Sequence, residues 1–139
     1  MITLVDAGPL IALIDKGQGE AHQQCLALQQ RLPAPLLTSW PCFTEAMYML
    51  GRIKGWAGQK LLWQFYRDNG GVEFYDLSEA EISRMHELME KYHDVPMDLA
   101  DASLVVIAET TGWRRLFTLD DDFYIYRIND RDSFEVIPC

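Results

Sequence analysis

The stretch Asp98-Leu99-Ala100-Asp101-Ala102-Ser103-Leu104-Val105-Val106-Ile107 (residues 98–107) gives the strongest indication of how this 139-residue chain folds. It predicts a helix from Asp98 to about Thr111. Apolar residues cover most of the circumference of that helix, so we expect it to be buried on both sides. Asp98 and Asp101 are three residues apart, a spacing at which helical side chains share a face. The stretch therefore predicts a central helix with two acids on its inner face.

Short apolar runs on either side of this helix predict β-strands, and helical patterns separate them. The predicted strands cover residues 2–5, 36–38, 72–75, 115–118 and 134–137. The other predicted helices cover about 9–16, 19–31, 41–51 and 57–67, and one more follows a capping box of Ser78 and Glu81. Strands that alternate with helices imply a parallel sheet covered on both faces. We therefore predict a single α/β domain over residues 1–139, a three-layer α/β/α sandwich with a central, mostly parallel sheet.

Four short acidic motifs adjoin the apolar runs of this predicted sandwich. They are Leu4-Val5-Asp6, Thr44-Glu45-Ala46, Asp98-Leu99-Ala100-Asp101-Ala102 and Thr118-Leu119-Asp120. Asp6 and Asp120 lie just past predicted strand ends, and ligands of parallel sheets bind beyond the carboxyl ends of the strands. The motifs therefore predict one acidic pocket at that edge.

Several acids in one pocket repel one another. At an effective dielectric constant of about 20, two unit charges about 4 Å apart repel by about 4 kcal/mol. A helix dipole offsets only about 0.3–1 kcal/mol for each acid. A hard divalent cation such as Mg²⁺ or Mn²⁺ offsets the repulsion directly and prefers oxygen ligands. No His/Cys pattern typical of a zinc site competes with this interpretation.

Each acid also has a simpler structural interpretation. Asp98 can be only an N-cap or first-turn acid of its helix, and Glu45 can be a surface residue. Asp120 can lie in a solvated turn, since two more Asp residues follow it, and Asp122 can cap that turn. Asp6 is the hardest to explain in this way, because it directly follows the predicted central strand.

The composition narrows the class of function. The chain has 21 acidic and 12 basic residues and a net charge of −9, which argues against simple binding of duplex nucleic acid. Six of the acids are candidate site residues: Asp6, Glu45, Asp98, Asp101, Asp120 and Asp122. Without them, 15 acids face 12 bases, a balance of −3 that bound divalent cations would offset further. The acidity also suits a basic partner protein.

The chain carries no sign of a membrane segment. No apolar run approaches the roughly 20 residues that span a bilayer. The amino-terminal run meets Asp6 at once and lacks a basic region, unlike a signal peptide. Cys25, Cys42 and Cys139 are odd in number and form no CxxC pair, which is typical of reduced thiols. We therefore predict a cytoplasmic protein with no membrane partner.

The order of these motifs resembles that of the PIN domain, the fold of VapC-type toxin ribonucleases. The resemblance extends from Leu4-Val5-Asp6 to Thr118-Leu119-Asp120-Asp121-Asp122-Phe123. Its most specific part is the stretch Pro96–Leu104.

The resemblance assigns the family's acids to positions in this chain. The first acid falls on Asp6, the helical Glu on Glu45 and the fourth acid on Asp120. The third falls on Asp101, because an apolar run follows it, with Asp98 as the competing choice. Asp6, Glu45, Asp101 and Asp120 are therefore the expected catalytic and metal-binding residues.

The family pattern also includes hydroxyl side chains near the acids. Thr118 matches the hydroxyl residue that often precedes the fourth acid by two positions. The chain departs from the pattern at Asp6-Ala7-Gly8, where many members have Ser or Thr soon after the first acid. We expect Ser103 or Thr118 to supply that hydroxyl. Asp98, Thr118 and Asp122 are thus expected supporting residues.

The resemblance implies a Mg²⁺- or Mn²⁺-dependent endoribonuclease that hydrolyses RNA phosphodiester bonds. It further implies a homodimer, and a role as the toxin of a type II toxin–antitoxin pair. The cognate antitoxin would insert an apolar helix into a groove, with an Arg or Lys near the acids. Two alternatives are a non-catalytic PIN-like module that binds RNA or protein, and a solitary PIN nuclease of RNA processing. A response-regulator receiver fits poorly, because Asp6 has no acidic neighbour and no lysine follows Lys91.

Overall fold

The computed structural model of the chain describes residues 1–137, so Cys139 lies outside the described residues. The strands are β1 Leu4–Val5, β2 Leu36–Thr38, β3 Val72–Phe74, β4 Arg115–Phe117 and β5 Glu135–Ile137. The helices are α1 Ala7–Ile14, α2 Glu20–Arg31, α3 Trp40–Lys54, α4 Trp56–Arg67, α5 Glu79–Lys91 and α6 Leu99–Thr111. Short 3₁₀ turns cover Lys16–Gln18 and Asp121–Tyr124. Among residues 1–137, no helix is both long enough and apolar enough to cross a membrane.

The five strands form one sheet in the order β3-β2-β1-β4-β5, and every strand pair in it is parallel. Leu4 pairs with Leu37 on one side and with Leu116 on the other, so β1 lies at the centre. Both residues of β1 are fully buried, as the apolar run predicts. The predicted three-layer sandwich with a parallel sheet is confirmed.

Alternate side chains of the central strands face two separate cores. Leu4 and Leu116 pack in a core with residues of α5 and α6, whereas Val5 and Phe117 pack in a core with residues of α1 to α4. This alternation follows from the two-residue period of a strand. Helices therefore cover both faces, and only the edges of the sheet and the ends of its strands remain for a site.

Helix α6 has the predicted burial but not the predicted start. Residues 100–108 are all buried, which confirms burial on both sides of the helix. The helix begins at Leu99, because Asp98 has an extended backbone and acts as the N-cap. The Asp98 carboxylate accepts the Asp101 N–H at 2.8 Å, and the Asp101 carboxylate accepts the Asp98 N–H at 3.3 Å. Asp98 is therefore the N-cap, which the sequence had left open, and a capping box holds it beside Asp101.

Helix α3 is longer than predicted. It continues past Gly51 to Lys54 and ends at Gly55, whose φ of +64° is readily adopted only by glycine. The extension places Lys54 within 3.5 Å of the buried Asp15 carboxylate, just after α1. This contact ties the end of α3 to the end of α1. The capping box of Ser78 and Glu81 at the start of α5 is present as predicted.

Candidate metal centre

Three carboxylates meet at the carboxyl edge of the sheet. Asp6 directly follows β1, Asp120 is the third residue after β4, and Asp101 lies in the first turn of α6. One oxygen from each lies within 4.8 Å of the others. Mg²⁺ has oxygen ligands at about 2.0–2.1 Å, which places neighbouring ligand atoms about 3–4 Å apart. The three oxygens would therefore have to move only slightly closer together to bind such a cation. The donor set, all carboxylate oxygen, therefore fits a hard divalent ion.

Asp6 is held by donors on both of its carboxylate oxygens. Oδ1 accepts the Ala7 N–H at 2.8 Å, so Asp6 is the N-cap of α1, and Oδ2 accepts the Thr118 hydroxyl at 2.9 Å. Burial nevertheless raises the pKa of Asp6 to about 6, and the nearby charges of Asp120 and Asp98 add to that effect. Asp6 is therefore well oriented, but no ion pair within residues 1–137 stabilises its ionised form.

Thr118 lies where a supporting hydroxyl was expected. It is buried and donates to Asp6, and its oxygen accepts the Asp120 N–H at 3.0 Å. Ser103, the other candidate, donates to the Ala100 carbonyl at 2.6 Å and lies 2.6 Å from the Ser39 hydroxyl. Thr118 is thus the hydroxyl that joins the first acid to the fourth.

Asp101 is buried, and its Oδ2 accepts a second donor besides the Asp98 N–H. That donor is the hydroxyl of Tyr126, at 3.0 Å, and the Tyr126 side chain is fully buried. Burial raises the pKa of Asp101, and the charges of Asp98 and Asp6 raise it further. No local pattern in the sequence distinguishes Tyr126 from Tyr124, which is exposed, so the sequence did not predict this contact.

A buried thiol, which no sequence motif predicts, also contacts Asp6. The Cys42 Sγ lies 3.9 Å from Asp6 Oδ1 and 3.6 Å from the Ala100 carbonyl oxygen. Burial raises the pKa of the Cys42 thiol, so it stays protonated and can donate to these oxygens. Cys42 therefore adds a weak donor behind Asp6.

Asp120 both caps a turn and belongs to the acidic pocket, the two interpretations that its sequence context left open. Its Oδ1 accepts the Asp122 N–H at 2.9 Å and so caps the 3₁₀ turn Asp121–Tyr124. The carboxylate is half-buried and still belongs to the three-acid group. Asp122 is also half-buried, and its backbone carbonyl accepts the Ile125 and Tyr126 N–H groups. Asp122 thus contributes backbone contacts that shape the turn.

Glu45 and Asp98 lie at the mouth of the same pocket. Both residues are exposed, and they line a cavity of about 460 Å³ together with Asp6, Asp101 and Asp120. Partial burial of the Glu45 carboxyl raises its pKa to about 7, helped by the charges of Asp98, Asp6 and Asp120. The fold therefore brings five of the six candidate acids to one cavity, three of them within mutual ligand distance.

The acids of the pocket form no ion pair with a positive side chain in the described part of the protein. Within residues 1–137, no ion pair involves Asp6, Glu45, Asp98, Asp101 or Asp120. Buried acids without a cationic partner either hold a proton or bind a cation. The raised pKa values are what this arrangement requires, and a divalent cation would reverse them.

Comparisons with known proteins agree with this geometry. The PIN domain family model matches residues 3–129. VapC20 of Mycobacterium tuberculosis, described as a toxin that cleaves the sarcin–ricin loop, aligns at a TM-score of 0.77 and 18% identity over 86% of this chain and 91% of that chain. VapBC2 from Rickettsia felis, bound to a DNA fragment from its promoter, aligns at a TM-score of 0.65 and 17% identity over 98% of each chain. The comparison with curated protein sequences found no match.

Proposed function

The chain belongs to the PIN domain family, and from this premise we propose that it is an endoribonuclease that hydrolyses RNA phosphodiester bonds with Mg²⁺ or Mn²⁺. The observation that carries the proposal is the group of three carboxylates, Asp6, Asp101 and Asp120, with oxygens within 4.8 Å of one another. Hydrolysis of a phosphodiester requires positive charge near the phosphate, and this pocket has the oxygen ligands that hold such charge.

Each acid has a proposed role that its position supports. Asp6 and Asp101 are the most direct metal ligands, because both are buried and held by hydrogen bonds. Asp120 completes the ligand set, and Glu45 at the pocket mouth orients the attacking water. A divalent cation held by these acids would supply an activated water and positive charge near the phosphate and the leaving oxygen.

The supporting residues act on the orientation and charge of these acids. Thr118 holds Asp6 and the backbone of Asp120. Asp98 holds the first turn of α6 and adds negative charge at the pocket mouth, and Asp122 shapes the turn after Asp120. Since the metal-free pocket is acidic, it repels a phosphate, so we expect RNA to bind productively only after the cation.

We propose further that the protein is the toxin of a type II toxin–antitoxin pair, acts in the cytoplasm as a homodimer and forms a single PIN domain over residues 1–139. Its resemblance to VapC folds and its exposed apolar side chains support protein partners. Those on α3 and α4 are Trp40, Tyr48, Met49, Ile53, Trp56 and Leu61. The antitoxin we expect combines an apolar helix with an Arg or Lys that offsets the unpaired acids.

The decisive experiment measures cleavage of total bacterial RNA with Mg²⁺ or Mn²⁺, followed by sequencing of the new ends. We expect the wild type to cut, and Asp6→Asn and Asp101→Asn to lose about 10²–10³-fold in rate, the loss typical when one element of electrostatic stabilisation is removed. Asp130→Asn is the matched control, because Asp130 pairs with Arg84 and Lys91 outside the pocket.

Two results would contradict the proposal in different ways. Equal cleavage by the wild type and both pocket variants would place the activity elsewhere. A wild type that neither cuts RNA nor binds Mn²⁺ would favour the non-catalytic PIN-like module. If the wild type cuts RNA but no antitoxin protein binds and inhibits it, the nuclease activity stands and the solitary RNA-processing enzyme is favoured.

A further inference from the structure

Tyr126 is a fully buried tyrosine whose hydroxyl touches one of the three pocket acids. It donates to Asp101 Oδ2 at 3.0 Å. A buried phenol needs one partner for its hydroxyl, but many acceptors can serve that need. In this protein the acceptor is a carboxylate that belongs to the three-acid group.

The ring of Tyr126 is fixed from two sides. Phe123 and Tyr92 each pack against it edge to face with ring centroids 5.1 Å away. The Tyr126 backbone N–H donates to the Asp122 carbonyl at 3.1 Å, within the segment that follows Asp120. The hydroxyl thus projects from a rigid base on the segment of the fourth acid and reaches the third acid on α6.

The hydroxyl also selects which oxygen of Asp101 is available. Oδ2 accepts both the Tyr126 hydroxyl and the Asp98 N–H, at 3.0 and 3.3 Å. Among residues 1–137, no hydrogen bond involves Oδ1 of Asp101. Two donors on one oxygen fix the plane and rotation of the carboxylate and leave the other oxygen for a ligand bond.

We propose that Tyr126 is a positioning residue of the metal site, which holds the Asp101 carboxylate with Oδ1 available to the divalent cation. The inference rests on the proposed function, because it requires Asp101 to be a metal ligand. No motif of the sequence predicts this role for Tyr126. Groups that orient metal ligands typically contribute about 10–100-fold to metal affinity.

The test compares Tyr126→Phe with Tyr92→Phe by calorimetric titration with Mn²⁺. Tyr92 is the matched control, because it is the adjacent ring, and its hydroxyl accepts the Arg127 N–H rather than contacting a carboxylate. We expect the Kd for Mn²⁺ to rise about 10-fold or more in Tyr126→Phe and to change less than about twofold in Tyr92→Phe. RNA cleavage by Tyr126→Phe should recover most of the wild-type kcat at saturating Mn²⁺.

A second measurement separates positioning from support of the fold. Adding Tyr126→Phe to Asp101→Asn should weaken the residual Mn²⁺ binding no further, because the tyrosine acts through Asp101. Thermal unfolding in EDTA should show Tyr126→Phe folded, with a midpoint close to that of Tyr92→Phe.

Each other outcome overturns the proposal. An unchanged Kd in Tyr126→Phe, an equal loss in Tyr92→Phe, or an additive loss in the double variant would show that Tyr126 does not act through Asp101. A Tyr126→Phe protein that is unfolded in EDTA would show a purely structural hydroxyl. A wild type that neither binds Mn²⁺ nor cuts RNA would overturn the proposed function, and this inference with it.

Discussion

Helix α6 has carboxylates near both ends, in opposite electrostatic surroundings. Near its amino terminus, Asp101 is buried among other acids, and burial raises its pKa. Near its carboxyl terminus, Glu109 accepts two hydrogen bonds from one guanidinium, Arg84 Nε to Oε1 and Nη2 to Oε2, each at 3.0 Å. The same helix therefore carries one acid that has no ion-pair partner among residues 1–137 and one acid that has a bidentate partner.

The paired end extends into a small network. Arg84 also contacts Asp130 at 3.1 Å, and Lys91 contacts the same oxygen at 2.8 Å. The ammonium of Lys91 lowers the pKa of Asp130, and Glu109 raises the pKa of Arg84. These groups stabilise one another's charged forms, whereas the pocket acids destabilise one another. The difference indicates that the ion pairs at one end of α6 stabilise the fold. The repulsion among the pocket acids lowers stability, as is typical of binding sites.

The largest effect we predict is on metal affinity at the unpaired end. Asp101→Asn should weaken Mn²⁺ binding by about 100-fold or more. Two unit charges about 4 Å apart attract by about 4 kcal/mol at a dielectric constant of about 20, and a divalent cation attracts a carboxylate about twice as strongly. Asp98→Asn should lose about tenfold or less, since Asp98 is exposed at the pocket mouth. Asn is as good an N-cap as Asp, so Asp98→Asn keeps the start of α6.

Calorimetric titration of both variants with Mn²⁺ checks this prediction. Asp130→Asn serves as the control and should bind Mn²⁺ like the wild type. A larger loss for Asp98→Asn than for Asp101→Asn would reverse the assignment of the third acid.

The second prediction concerns the stability of the paired end. Arg84→Met should lower the free energy of unfolding by about 2–3 kcal/mol, because the Glu109 side chain, only 9% exposed, loses its partner. Arg114→Met, which breaks an exposed ion pair with Asp132, should lower it by about 0–1 kcal/mol. Urea denaturation measures both. If Arg84→Met also weakened Mn²⁺ binding, the two ends of α6 would not be independent.

The third prediction is a pH dependence that only the unpaired end produces above about pH 4. Asp6 has an ordinary pKa of 3.8, and burial raises it to about 6 in the folded protein. The folded state therefore holds a proton that the unfolded state releases, and stability falls as the pH rises from about 4 to about 6. A two-unit shift corresponds to about 3 kcal/mol at most, so we expect a loss of about 1–3 kcal/mol. The raised pKa of Glu45 extends the fall in stability towards pH 7, but its contribution is small because Glu45 is exposed.

Urea denaturation in EDTA across pH 4 to 8 measures this loss. Asp6→Asn should make the fall in stability with pH smaller, and the buried Asp101, whose pKa is also raised, should account for what remains. Mn²⁺ should stabilise the wild type more at pH 7.5 than at pH 5, because the ligands must be ionised. Asp130→Asn should leave the slope above pH 4 intact. Stability that rises with pH in EDTA would mean that the pocket acids are compensated by a group other than a metal.

The sequence predicted the sheet, its helices and the place of the acids with little error. Asp6 and Asp120 were found because parallel strands bring their carboxyl ends to one edge, a rule that needs only the order of the elements. Helix bounds were less accurate, since Gly51 lies within α3 and Gly55 ends it. The sequence left Asp98 open between the first turn of α6 and its N-cap, because a three-residue spacing fits both arrangements, and the structure places it at the N-cap.

By itself, then, the sequence determined the fold class and which acids share a pocket, since the spacing of apolar residues and the order of strands carry that information. Only the tertiary structure decided how the acids are held. Thr118 meets Asp6 across 112 positions of the chain, and Tyr126 meets Asp101 across 25. A hydrogen bond requires its two atoms to lie within about 3 Å of each other. Elements far apart in the chain reach that distance only after the two cores have packed against the sheet.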